Sequence, residues 1–159
     1  MAYVYLKMGN SPRPGLWVLE KSKDYGKTWS PWQYFSDTAN DCLTYFGVDS
    51  YKPITRDDSV ICTTEYSQIV PLEGGEIPIS ILNNRPSAKH YFNSTVLQEW
   101  TRATNVRFRF LRTKNLLGHL MSLVREDPTV TRRVSVLEIR RTLSLMIDSN
   151  NNLITAITI

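Results

Sequence analysis

Two carboxylates stand side by side at Asp57 and Asp58, the kind of pair from which a general acid and a general base are drawn. Acid/base work needs both groups on one side of a substrate, and neighbours in an extended segment point to opposite faces. The pair therefore reads as turn and salt-bridge residues. Asp24 is a different case, because it sits in Ser22-Lys23-Asp24-Tyr25-Gly26-Lys27-Thr28-Trp29. In this S-x-D-x-G-x-T-W pattern the carboxylate can bond backbone amides across a turn, Gly26 can take positive φ, and Trp29 packs beneath. Asp24 and Thr28 also offer hard oxygens that suit Ca²⁺ once backbone carbonyls join them. Two cysteines and two distant histidines, His90 and His119, make no zinc pattern. No organic cofactor motif is present.

These groups have to be positioned by strands. Residues 62–86 hold the clearest signal: an apolar run at 67–72, then Glu73-Gly74-Gly75-Glu76, then Ile77, Ile79 and Ile81 alternating with Pro78, Ser80 and Leu82. Two apolar runs joined through paired glycines predict a β-hairpin, since primed turns require positive φ. Glu73 and Glu76 then lie in solvent, either as plain turn residues or as a contact surface. Val4, Leu6 and Met8 alternate with Tyr3, Tyr5 and Lys7, which predicts a strand with both faces at least partly covered. Further strands are expected at 16–21, 31–35 and 105–112. In the last, Val106, Phe108 and Phe110 face one way, with Arg107, Arg109 and Arg112 on the outer side. Residues 36–53 read as irregular or briefly helical, 83–87 as a loop, and 116–124 carry helical spacing.

A chain of 159 residues with 42% hydrophobic content can build one domain with a real core. It has no run near the ~20 apolar residues of a membrane helix, and its first residues lack the regions of a signal peptide. Charge is uneven: residues 1–101 carry nine Lys+Arg against eleven Asp+Glu, and residues 102–159 ten against four. A basic half favours a polyanion such as nucleic acid or a sulfated glycan, or is simply an Arg-rich solvated sheet face, the commoner case. Cys42 and Cys62 are compatible with two inert thiols or with one disulfide, which would stabilise by about 3 kcal/mol in an oxidising compartment. Asn93-Ser94-Thr95 is an N-glycosylation sequon, meaningful in a secreted chain. From Val134 the character changes, and the β-prone, nearly uncharged 153–159 reads as an appended tail.

Two resemblances follow. The pattern at 22–29 looks like the Asp-box of sialidases and related β-propellers, where it folds a hairpin and is not catalytic; propellers repeat it once per blade, and this chain has one copy. A far more extensive resemblance is carried in order by Asn10-Ser11-Pro12-Arg13-Pro14, Trp17-Val18-Leu19-Glu20-Lys21-Ser22, Pro31-Trp32-Gln33-Tyr34-Phe35, Thr55-Arg56-Asp57-Asp58, Cys62-Thr63-Thr64-Glu65-Tyr66-Ser67, Pro71-Leu72-Glu73-Gly74-Gly75-Glu76-Ile77, Phe110-Leu111-Arg112-Thr113, Leu116-Leu117-Gly118-His119-Leu120 and the run 127–133. Over residues 2–133 the chain resembles the laminin N-terminal domain, closest to laminin alpha chains of the arthropod-like and alpha-3 and alpha-5 types. The resemblance implies an all-β fold: a jelly-roll β-sandwich with loop decorations and a short helix. It further implies a Cys42–Cys62 disulfide, glycosylation at Asn93, a calcium loop containing Asp24 and Thr28, and an interaction surface at Pro71, Leu72, Glu73, Gly75 and Glu76.

The family departs from this sequence at Gly74, where Asn is usual. Its signal peptide and first strands have no counterpart here, so the fold is expected to be incomplete at the N-terminus. After Arg133 the family continues with a Tyr-rich strand and EGF-like cysteine repeats, which 134–159 match in neither respect. Residues 1–133 are accordingly expected as a partial domain and 134–159 as a divergent tail. The function implied is that of a secreted, non-catalytic basement-membrane module. It would bind the N-terminal domains of laminin beta and gamma chains in a calcium-dependent way, with no nucleic-acid partner and no membrane insertion. Heparan sulfate or receptors such as integrins are further expected partners, through Arg107, Arg109, Arg112, Arg132 and Arg133. The alternatives are a non-functional fragment of a laminin alpha gene and an Asp-box glycosidase. The latter lacks both repeated boxes and paired carboxylates.

Overall fold

The computed structural model describes residues 3–7, 13–67, 76–112 and 141–146. Among the described residues seven strands are laid out as β1 (Tyr3–Lys7), β2 (Leu16–Ser22), β3 (Ser30–Ser36), β4 (Ile61–Thr63), β5 (Glu76–Ser80), β6 (Asn105–Arg112) and β7 (Arg141–Met146). Two helices, α1 (Ala39–Phe46) and α2 (Thr95–Thr101), and a 3₁₀ turn (Ala88–Asn93) decorate them. Five strands form one sheet in the order β4-β3-β2-β6-β7, and β1 and β5 form a second.

β2 is buried along its whole length, as suits a strand flanked on both edges and covered on both faces. Trp17 sits opposite Phe35 on β3 and Phe110 on β6, and its ring stacks on Phe35 at a centroid distance of 3.7 Å. Val4 and Leu6 of β1 and Ile77 and Ile79 of β5 join Trp17, Leu19, Phe35 and Phe108 in one apolar cluster. The two sheets thus share a single core, the sheet-on-sheet arrangement expected of an all-β fold. Each fully buried large side chain contributes roughly 1.5–3 kcal/mol of transfer free energy to it.

The strands bear on three expectations. Only one face of β1 is covered, since Tyr3 and Tyr5 are exposed. β5, the second arm of the expected hairpin, pairs antiparallel with β1, while 68–75 lie outside the described residues. β7 falls inside the stretch read as a tail and pairs antiparallel with β6 from Phe110↔Arg141 to Asn105↔Met146. The segment with helical spacing at 116–124 lies outside the described residues.

The irregular stretch after β3 contains α1. Thr38 caps its N-terminus by accepting from the Asp41 amide, and Gly47, at φ 66°, ends it in the left-handed conformation that glycine adopts without strain. Phe46 stacks on Tyr34 of β3 at 4.2 Å, which seats α1 against the sheet. A disulfide between Cys42 and Cys62 then ties α1 to β4, and β4 runs parallel to β3.

Candidate functional site

The S-x-D-x-G-x-T-W pattern forms the link between β2 and β3, as its spacing requires. Tyr25 and Gly26 take φ of 59° and 86°. The Asp24 carboxylate accepts from the Thr28 amide at 2.8 Å, the Thr28 hydroxyl at 2.6 Å and the Ser22 hydroxyl at 2.7 Å. These bonds, led by the Thr28 hydroxyl, hold its pKa down at about 2. Ser22 Oγ also accepts from the Gly26 amide at 2.8 Å. The turn is fastened to the start of β6, because the Thr104 hydroxyl accepts from the Tyr25 amide and the Thr104 amide donates to the Ser22 carbonyl. Arg107 lies over the Trp29 ring at 4.3 Å.

Beside this turn is a cluster that the sequence does not announce. Lys21, the inward-facing residue just before the turn, is only 3% exposed. Its ammonium donates to the Trp100 carbonyl in the last turn of α2 and lies 4.4 Å from the Trp100 ring and 5.0 Å from the Trp32 ring. Burial, reinforced by Lys23, lowers its pKa to about 7. Arg85 approaches the same Trp100 ring at 4.6 Å. Its guanidinium donates to the carbonyls of Ile81, Asp57 and Ser59 at 2.6, 2.6 and 3.1 Å. An open groove of about 660 Å³ runs along this end, lined by Lys21, Lys23, Asp58, Val96, Glu99 and Trp100 among others.

Asp57 and Asp58 sit in a turn and do separate jobs. Asp57 accepts from the Ser87 amide and the Ser94 hydroxyl, and Asp58 pairs with Arg56 at 2.8 Å. Asn93 ends the 3₁₀ turn with its side chain exposed, immediately before Ser94, which caps α2 by accepting from the Leu97 amide.

The outer arginines of β6 are paired. Arg107 and Arg109 both reach Glu20, at 2.6 and 3.1 Å, and Arg112 reaches Asp37 and Asp41 at 2.7 and 2.5 Å. Glu20 is itself buried, so in this ion triplet Arg107 and the more exposed Arg109 are drawn onto one carboxylate on the outer face and do not form an unpaired basic strip. Pro71, Leu72, Glu73, Gly75, Arg132 and Arg133 lie outside the described residues; Glu76 opens β5 opposite Lys7.

Calcium binding can be weighed against this geometry. The donor chemistry at Asp24 and Thr28 suits a hard cation, but the number does not. Ca²⁺ takes six to eight oxygens. Here one carboxylate already accepts three bonds, and among the described residues no three acidic, His or Cys side chains converge. The turn as closed is therefore a hairpin lock and does not by itself make a calcium shell.

The model of the laminin N-terminal (domain VI) family matches residues 1–137. Over 133 residues, 84% of this chain, the sequence is 78% identical to laminin subunit alpha of Drosophila melanogaster and 58% identical to human laminin subunit alpha-3. Human laminin subunit alpha-1 is 45% identical over 141 residues. In each case the chain spans only about 4% of the length of the relative. The extent of the match places this chain in the laminin N-terminal (domain VI) family.

Proposed function

We propose that the chain is a non-catalytic extracellular-matrix module that associates with the N-terminal domains of laminin beta and gamma chains. The observation that carries this reading is the match of residues 1–137 to the domain VI family together with high identity to laminin alpha chains. The disulfide between Cys42 and Cys62 supports it, because such bonds persist in oxidising, extracellular settings. The contact surface is assigned to Pro71, Leu72, Glu73, Gly75 and Glu76, and calcium dependence is part of the proposal, with Asp24 and Thr28 supplying only a minority of the oxygens a calcium shell needs. The test is co-sedimentation of the chain with laminin beta and gamma N-terminal domains, with calcium or with a chelator. The expected result is a calcium-dependent complex that Glu73→Ala with Glu76→Ala weakens. Equal recovery with and without calcium would remove the calcium element, and no complex in either condition would remove the reading.

A second reading, binding of heparan sulfate or a cell-surface receptor, draws on the charge excess of residues 102–159. The carboxylate pairing of Arg107, Arg109 and Arg112 shifts its weight to Arg132 and Arg133. Heparin retention should then fall with Arg132→Ala and Arg133→Ala more than with Arg109→Ala; the reverse order would refute that assignment.

A further inference from the structure

Most charged side chains around the groove between the Asp24 turn and α2 are matched. Lys23 is bonded to Glu99 at 2.5 Å, Arg56 to Asp58, and Arg85 to three main-chain carbonyls. Lys21 is not. An ammonium carries three N–H donors, and Lys21 has one hydrogen-bond acceptor, the Trp100 carbonyl, with the Trp100 and Trp32 rings 4.4 and 5.0 Å away and Glu99, already bonded to Lys23, acting on it only through space. Among the described residues no carboxylate pairs with it. The Trp100 indole Nε1, also buried, has no acceptor among the described residues. Both residues line the same open groove. Buried N–H groups are ordinarily satisfied, and a buried ammonium without a counter-ion is the more costly omission.

We propose that this groove seats the carboxylate of an acidic side chain presented by a partner polypeptide, with Lys21 as its counter-ion. The walls argue for a polypeptide. Lys23 and Asp58 in the lining are already paired with Glu99 and Arg56, which leaves Lys21 as the one lining cation without an ion-pair partner among the described residues, and one such cation matches a single carboxylate better than a densely sulfated glycan. Half-exposed Val96 gives the apolar stem of a glutamate or its neighbour a surface to cover. The partner's carboxylate would neutralise Lys21 without disturbing the Lys23–Glu99 pair. This contact rests on the proposed function but uses other residues than 71–76, so its failure and the failure of that reading are told apart by Lys21 and Glu73 variants.

The test is an NMR titration of the isotope-labelled chain at neutral pH. The probes are a blocked leucine–glutamate–leucine tripeptide, its glutamine counterpart and a heparin tetrasaccharide. The glutamate peptide should produce saturable shifts of the Lys21 Cε and Trp100 Nε1 resonances. The glutamine peptide should bind more weakly by about thirtyfold or more, as expected when one partner of a desolvated charge pair is removed. Lys21→Met should lose the preference for glutamate. The proposal is overturned if the glutamine peptide binds as well, if Lys21→Met keeps the preference, if neither peptide shifts those resonances, or if the heparin fragment perturbs them at lower concentration. The comparison of the two peptides on the unaltered chain needs no variant to fold.

Discussion

Replacing Lys21 by Met should make the fold more stable, and should do so in a pH-dependent way. Lys21 is 3% exposed and its pKa is lowered from 10.5 to about 7, first by burial and then by Lys23. The folded state therefore holds this proton less tightly than the unfolded chain does. Between about pH 7 and 10.5 the unfolded chain carries the extra proton, so stability rises with pH across that window. The limiting slope is about 1.4 kcal/mol per pH unit. Below about pH 7 both states are protonated, the slope vanishes and the full penalty remains. That penalty is at most about 5 kcal/mol from the shift alone. Methionine keeps the length of the stem and removes the charge. It also gives up the Trp100 carbonyl bond and the contacts with the two ring faces, so its net gain falls below that ceiling. Urea unfolding at pH 7, 8 and 9, with the disulfide intact, would measure both effects. The variant should gain about 1–3 kcal/mol at pH 7, an advantage that shrinks as pH rises. A variant that is less stable at pH 7, with an unchanged pH slope, would refute the reasoning.

Reduction of Cys42–Cys62, or replacement of both residues by Ser, should cost about 3 kcal/mol, read as a lowered urea midpoint with a steeper slope as the unfolded chain expands. Arg85→Lys should cost about 2–4 kcal/mol, because an ammonium cannot serve the Ile81, Asp57 and Ser59 carbonyls together; thermal unfolding checks this. The Asp24 carboxylate, held at about 2, should keep the Thr28 amide protected from exchange above about pH 4 and release it only as pH falls towards 2. Asp24→Asn should flatten that profile.

β1, β5 and β6 were legible because their burial follows a period of two, whereas β2, buried at every position, was read from its apolar run, and β4 and β7 were not read. Val106, Phe108 and Phe110 are inward and Arg107 and Arg109 outward, as read. The turn at 22–29 was legible for a different reason, since its Ser, Asp, Gly and Thr each have one local job. Helix α2 was missed: seven residues are too few for periodicity to speak, and its cap, Ser94, is the middle residue of the sequon. Lys21 and Arg85 were missed because charge in sequence suggests solvent. Lys21 stands in Glu20-Lys21-Ser22-Lys23-Asp24, which looks like a surface stretch, and Arg85 stands between an Asn and a Pro in an apparent loop. Their burial depends on Trp32 and Trp100 arriving from elsewhere in the chain. Nor does sequence show that the β6 arginines meet carboxylates on β2, β3–α1 and α1, because the partner of each lies far along the chain.

That last separation sets a schedule. Glu20 and Arg107 are 87 residues apart in sequence yet neighbours across the central ladder. At a synthesis rate of about 5–20 residues per second, β2 waits roughly 4–17 seconds with one edge open before β6 has been made. Through that interval its apolar edge can capture any passing strand in any alignment. The ion triplet tells the right alignment from the wrong ones. Slipping β6 by one residue would set Glu20 against Val106 or Phe108 in place of Arg107, leaving a buried carboxylate unpaired and turning every β6 side chain to the opposite face. The arginines on this strand thus act as a checkpoint in time, rejecting misaligned pairings while the chain is still being made.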